Sequence, residues 1–286
     1  MKASPATIGL GVTMTIGYGT LYYSFSVLAP EIAREFGWGQ SFVFGVFSFG
    51  LLAGAVAAHG GGHPHRFHEA FQMNAALIVI DMQRDFCSPG GYAHQAGIDI
   101  APMQAVVPQV QRLLAAARAA GLLVVHTREG HLPDLSDCPP AKLARSVAAG
   151  APIGSHGPLG RLLVRGEQGH DFVPALRPLV SEHVIDKPGY GAFHQTTLGA
   201  LLAAFGIGQL ILCGVTTEVC VHSTLREAVD RGYSCTTVGD ATAASQPELH
   251  APALAMIGVE GGIFGSVMGT DDCVRAMQAL HAKITA

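Results

Sequence analysis

Three side chains of complementary chemistry stand where short apolar runs end. Asp81 follows "ALIVI", Lys187 closes "HVIDK", and Cys220 lies in "CGVTTEVCV", residues 213–221. An acid, a cation and a thiol are sufficient for nucleophilic attack on an amide. A thiolate attacks the carbonyl, the lysine balances the ionised pair, and the aspartate takes the thiol proton and hands it to the leaving amine. Singly, each has a plainer reading: Asp81 as the cap of a turn, Lys187 as a solvated strand end, Cys220 as a small hydrophobe in the core. Arg84 and Asp85 read equally well as a surface pair. The combination favours chemistry, because all three groups fall at the carboxyl ends of separate strands.

The stretch around Cys220 adds a local reason. With a strand ending near Gly214 and a helix capped by Thr216 or Thr217, Cys220 falls in the first helical turn. Free backbone N–H groups and the helix dipole there favour an anion, and so predict a thiol pKa below its usual ~8.5. The backbone N–H groups of Thr216 and Cys220 are candidates for an oxyanion hole, where one donor contributes ~3 kcal/mol to the transition state. Cys213, inside the strand, reads as inert core.

The elements that must position these groups are legible as an alternation. Apolar runs at 76–81, 122–127, 183–187, 209–214, 234–239 and 262–267 read as strands, and the stretches between them carry helical patterns, several ending in glycine. Runs this apolar suit a parallel sheet covered on both faces. The expected fold is therefore α/β, a doubly wound, mostly parallel six-stranded sheet in a three-layer sandwich. Its ligand crevice is expected where the winding reverses. The long connection over 128–181 reads as a lid or an oligomer contact.

Composition narrows the classes. With 286 residues, a formal charge of -4, no basic stripe and no nucleic-acid module, nucleic acid is not an expected partner. Six dispersed cysteines without a CxxC pair read as reduced thiols rather than a disulfide scaffold. Residues 3–30 and 40–58 lack charged side chains, and each run is near the ~17 to 25 residues that cross a bilayer. Residues 1–58 are thus expected to form a hydrophobic helical hairpin, followed by a Gly- and His-rich linker over 59–72 and a second domain over 73–286. The hairpin reads as a membrane anchor, a fusion remnant or the product of a start assigned too far upstream, since Met73 can itself begin the second domain. Inserted, it would leave both ends in the cytoplasm, with Lys2 and Arg66 flanking it.

Within that hairpin, "GYGTLYYSFSVLAPEIAREFGW" resembles the opening helices of a major facilitator transporter, although no further spans follow. From about His63 onward the chain resembles the isochorismatase-like cysteine hydrolases, through "IVIDMQRDF", "IDKPGYGAF" and "LCGVTTEVCVHSTLREAVDRGY". That resemblance implies Asp81, Lys187 and Cys220 as a catalytic triad, a cis peptide at Val215–Thr216 turning N–H groups into the oxyanion hole, a homo-oligomer and a cytoplasmic enzyme. "HTREGHLPDLSDCPPAK" and "GPLGRLLVRGEQG" look most like amidohydrolases of biuret, triuret and related linear ureides, with ureidoacrylate and nicotinamide as alternatives. Glu260 stands where the resemblance implies a ureide-reading glutamine, and an ionised glutamate there would require substrate N–H groups. Phe86 and Phe193 are candidate pocket walls or core residues. Only Glu129 and His131 fall where the nicotinamidase branch holds a metal, so neither a metal nor another cofactor is expected. Readings of a different class remain: a membrane-anchored or transporter-derived protein, or an inactive scaffold, carrying a hydrolase-like domain.

Overall fold

The computed structural model describes residues 74–285, so the expected hairpin over 1–58 and linker over 59–72 lie outside the described residues. The central strand is β1 (Ala75–Ile80), buried at every position. Apolar side chains on both of its faces allow burial from both sides. Leu77 and Val79 enter one core layer with Val110, Leu113 and Met277, while Ala76, Ile78 and Ile80 enter the other with Leu198, Leu202 and Leu225. Alternation of side chains across the strand thus produces three layers from one continuous hydrophobic run.

The remaining strands of the main sheet are β2 (Leu123–Glu129), β3 (His183–Lys187), β4 (Gln209–Val215), β5 (Ser234–Ala243) and β6 (Ser266–Met268). They pair in parallel in the order β3-β2-β1-β4-β5-β6. The winding therefore reverses between β1 and β4, which places the crevice beyond Ile80 and Val215. The first helices are α1 (Arg84–Cys87), α2 (Tyr92–Gln95), α3 (Ala101–Ala105) and α4 (Val107–Ala119). They are followed by α5 (Pro140–Ala148), α6 (Leu198–Ala204), α7 (His222–Asp230), α8 (Pro247–Ile257) and α9 (Thr270–Thr285). Helices α4 and α9 pack on one face of the sheet, α6 and α7 on the other. Among the described residues, no helix is long and apolar enough to cross a membrane.

Several boundaries differ from expectation. The last strand is Ser266–Met268 rather than 262–267, because Gly262 (φ 92°) and Gly265 (φ 117°) turn the chain before it. Beyond Gly214, Thr216 is still extended, and Thr217–Val221 forms a π-helical turn before α7 begins at His222. A turn of that type inside a helical run often marks a functional site. The expected long connection carries α5 and a short ribbon pairing His156–Gly157 with Gly160–Arg161.

Candidate active site

Asp81, Lys187 and Cys220 meet at the carboxyl ends of β1, β3 and β4. Asp81 has φ 51°, a left-handed conformation uncommon for a residue with a side chain, and is fully buried. Its Oδ2 lies 2.7 Å from Lys187 Nζ, and its Oδ1 accepts a 2.6 Å hydrogen bond from Thr127 Oγ1. Lys187 Nζ also donates to the carbonyls of Gly189 at 3.0 Å and Tyr190 at 2.9 Å. The "KPGYG" loop therefore wraps the ammonium group, which is how the chain satisfies a charge with no access to water.

Glu129 completes the cluster. Its register partner across the sheet is Lys187, so the last residue of β2 arrives beside the ammonium group. Glu129 Oε2 accepts from the Cys220 thiol at 3.2 Å and lies 3.5 Å from Lys187 Nζ; Oε1 pairs with Lys142 Nζ of α5 at 2.6 Å. Lys142 also donates to the Pro188 carbonyl at 2.6 Å. The Glu129 backbone is held by buried Gln83, whose Oε1 accepts from the Glu129 N–H at 2.7 Å and whose Nε2 donates to its carbonyl at 3.0 Å. Sequence reasoning placed Glu129 only as a potential metal ligand and missed Lys142, Gln83 and Thr127. The extension of β2 by two residues beyond Thr127 is what aligns Glu129 with Lys187.

The electrostatics follow from burial and from this pairing. Burial raises the Asp81 pKa against the lowering effect of Lys187, and Glu129 adds to the rise. Burial acts the same way on Glu129, yet Lys187 and Lys142 outweigh it and hold that carboxyl below the usual range. Burial would strip the Lys187 proton, but the charges of Asp81, Cys220 and Glu129 keep the ammonium form. Cys220 is pushed well above an ordinary thiol, first by burial and then by the two carboxylates, with Lys187 opposing. The helix-terminus reading of a lowered thiol pKa is therefore corrected: two carboxylates already balance two ammonium groups, and a thiolate would be a surplus buried charge. The resting state is a thiol hydrogen-bonded to Glu129, beside an aspartate whose proton affinity is raised.

A cavity of about 280 Å³ opens above the sulfur, lined in part by Cys220, Thr216, Glu129, Phe86, Tyr92 and Arg145. Phe86 thus stands where a pocket wall was expected. Phe193 does not line this cavity: it is buried, stacked on Tyr233 at 5.8 Å and beneath the Arg231 guanidinium. Glu260 is exposed in the Val259–Gly261 turn, with φ 50°, and is likewise outside the cavity lining. The Val215–Thr216 peptide is cis. The potential donor atoms of Asp81, Glu129 and Cys220 lie within 4.8 Å of one another, but two ammonium groups already face the carboxylates. His131 is not part of that group; its Nδ1 is 3.2 Å from Asp137 Oδ1.

The sequence matches the isochorismatase domain over residues 75–272. The chain belongs to the isochorismatase family. It is a cysteine amidohydrolase of that family, a hydrolase acting on carbon–nitrogen bonds. It is 34% identical over 207 residues to ureidoacrylate amidohydrolase RutB of Serratia proteamaculans, covering 71% of this chain and 83% of the relative. The enzyme of the same name from Methylorubrum extorquens is 37% identical over 201 residues, covering 65% and 77% respectively. Among solved structures, a cysteine hydrolase from Pseudomonas syringae matches with TM-score 0.63 at 28% identity, covering 74% of this chain and 96% of that one. The family fold is the frame in which β1, β3 and β4 deliver the three expected side chains.

Proposed function

We propose that this amidohydrolase cleaves the carbon–nitrogen bond between the carbamoyl group and the substituted nitrogen of a small ureido acid of the ureidoacrylate kind. The observation that carries this reading is the meeting of the Cys220 thiol with Asp81, Glu129 and Lys187 beneath the cavity. Asp81 takes the thiol proton, and the sulfur attacks the ureido carbonyl. Backbone N–H groups of Thr216 and Cys220 receive the developing oxyanion. Asp81 returns the proton to the departing amine, leaving a carbamoyl thioester on Cys220 that water converts to carbamate and free thiol. Lys187 stays charged throughout and holds Asp81 in place; Glu129, pinned by Gln83 and Lys142, orients the thiol.

The sequence-based preference for biuret or triuret gives way here. The curated relatives at 34% and 37% identity carry the name ureidoacrylate amidohydrolase. The residue on which a ureide contact was to rest, Glu260, lies outside the cavity lining. Enzyme action in the cytoplasm as a homo-oligomer belongs to the same proposal. A panel of ureidoacrylate, 3-ureidopropionate, biuret, triuret and nicotinamide, assayed for amine and carbamate release, tests it. The highest kcat/KM is expected for a ureido acid; a decisive preference for biuret or nicotinamide would overturn the reading.

A further inference from the structure

Among the described residues that line the cavity, one cationic side chain has no carboxylate partner. Lys187 is matched by Asp81 and Glu129, and Lys142 by Glu129, the Pro188 carbonyl and the Tyr190 ring 4.9 Å away. Two carboxylates therefore cancel two ammonium groups. Arg145 remains. It projects from α5 one turn after Lys142 and lines the same cavity, and no described residue accepts a hydrogen bond from its guanidinium. Nearby acids are committed elsewhere: Asp137 is bound by Arg165 at 3.1 Å and by the Leu132 N–H at 2.9 Å, and Glu227 by the Phe193 N–H at 3.0 Å. Arg145 is exposed and also lines an adjoining recess that shares Tyr190 and Lys142 with the cavity.

An unpaired guanidinium facing a reaction chamber matches a carboxylate, which it receives through two parallel N–H···O bonds. Apolar surface from Phe86, Ile98 and Met103 on another part of the wall suits the short carbon chain between such a carboxylate and a ureido group. We infer that Arg145 is the carboxylate receptor of this cavity and selects a substrate bearing a single negative charge. The inference rests on the ureido-hydrolase reading above and adds the residue that separates ureido acids from neutral ureides. Biuret and triuret leave the guanidinium to water and so gain nothing from it, which places them below a ureido acid without any clash.

The test compares 3-ureidopropionate with its methyl ester, and both with biuret, for the wild type, Arg145→Met and Arg145→Lys. Arg145→Met is expected to raise KM for 3-ureidopropionate roughly 10- to 100-fold, the range for a lost charged hydrogen-bond pair. Its kcat is expected to change far less, as is kcat/KM for the ester. Arg145→Lys keeps the charge without the fork and is expected to recover part of the loss. Retention of the wild-type acid-to-ester selectivity by Arg145→Met would remove the assignment while leaving the ureido-acid reading intact. A wild type that turns over biuret or the ester but not the acid would remove both. Loss of all activity, with ester turnover falling equally, would count against a selective role for Arg145.

Discussion

Cys220 is not a ready-made thiolate. The structure surrounds it with two carboxylates and one adjacent ammonium group in a buried site, and each carboxylate charge raises its pKa. Activation is therefore expected only when substrate arrives and Asp81 accepts the proton. Alkylation of the free enzyme by iodoacetamide is expected to be slow at neutral pH and to speed up as pH rises. Glu129→Gln removes one of the opposing charges and leaves the thiol only a neutral amide acceptor, so the alkylation profile is expected to shift to lower pH. Lys187→Met is expected to shift it the other way. Turnover is expected to fall in both, by roughly 10²-fold or more, because groups that act as a unit fail together. A Glu129→Gln profile displaced to higher pH would contradict the charge assignment. The juxtaposition of Asp81, Lys187 and Cys220 was legible because an ionisable residue at the end of an apolar strand needs a reason to be there. The protonation state was not, since burial and the second carboxylate are products of folding.

At the scale of elements, the site depends on how closely β1 and β4 approach. Gly214 has φ 108°, and a Cβ there would lie 2.0 Å from the Ile80 carbonyl oxygen. Gly214→Ala is expected to cost about 2–4 kcal/mol in urea denaturation, through backbone strain next to the crevice. An unchanged midpoint would show that the two strands can separate without cost. Gln83 plays the corresponding role for β2, fixing both backbone groups of Glu129. Gln83→Leu leaves those groups unpaired and is expected to destabilise the fold by about 2–3 kcal/mol. Five strands were readable from their apolar runs to within a few residues. The sixth was misplaced because Ile263 and Phe264 look like strand residues while Gly262 and Gly265 impose turns around them. Helix α5 carries Lys142 and Arg145; Pro140 at its start and Gly150 beyond its end are ordinary helix boundaries, but the segment sits in a connection read as a lid or an oligomer contact. Two cationic residues of the site were hidden for that reason.

For the whole molecule, Asp85 ties the first crevice loop to the cavity wall, accepting from the N–H groups of Tyr92 and Leu163, each at 3.1 Å. Burial pushes its pKa up to about 6 even though both N–H donors favour the carboxylate. Between its ordinary value of about 4 and that value, the folded state holds a proton that the unfolded chain has lost, so this group makes stability fall as pH rises through the window. Its share is about 3 kcal/mol across the window. Asp85→Asn is expected to flatten the dependence there, measured by denaturation at several pH values; an unchanged slope would contradict it. The overall three-layer order was foreseeable because the strand and helix alternation constrains the winding, and that winding brings residues far apart in sequence to one crevice. In the proposed reaction the substrate's carbamoyl group passes through the Cys220 sulfur, and mass spectrometry of enzyme acid-quenched during turnover of a ureido acid detects that adduct. One added carbamoyl group is expected on the peptide containing Cys220. Steady turnover by Cys220→Ala, or a carbamoyl group found on another cysteine instead, would contradict it.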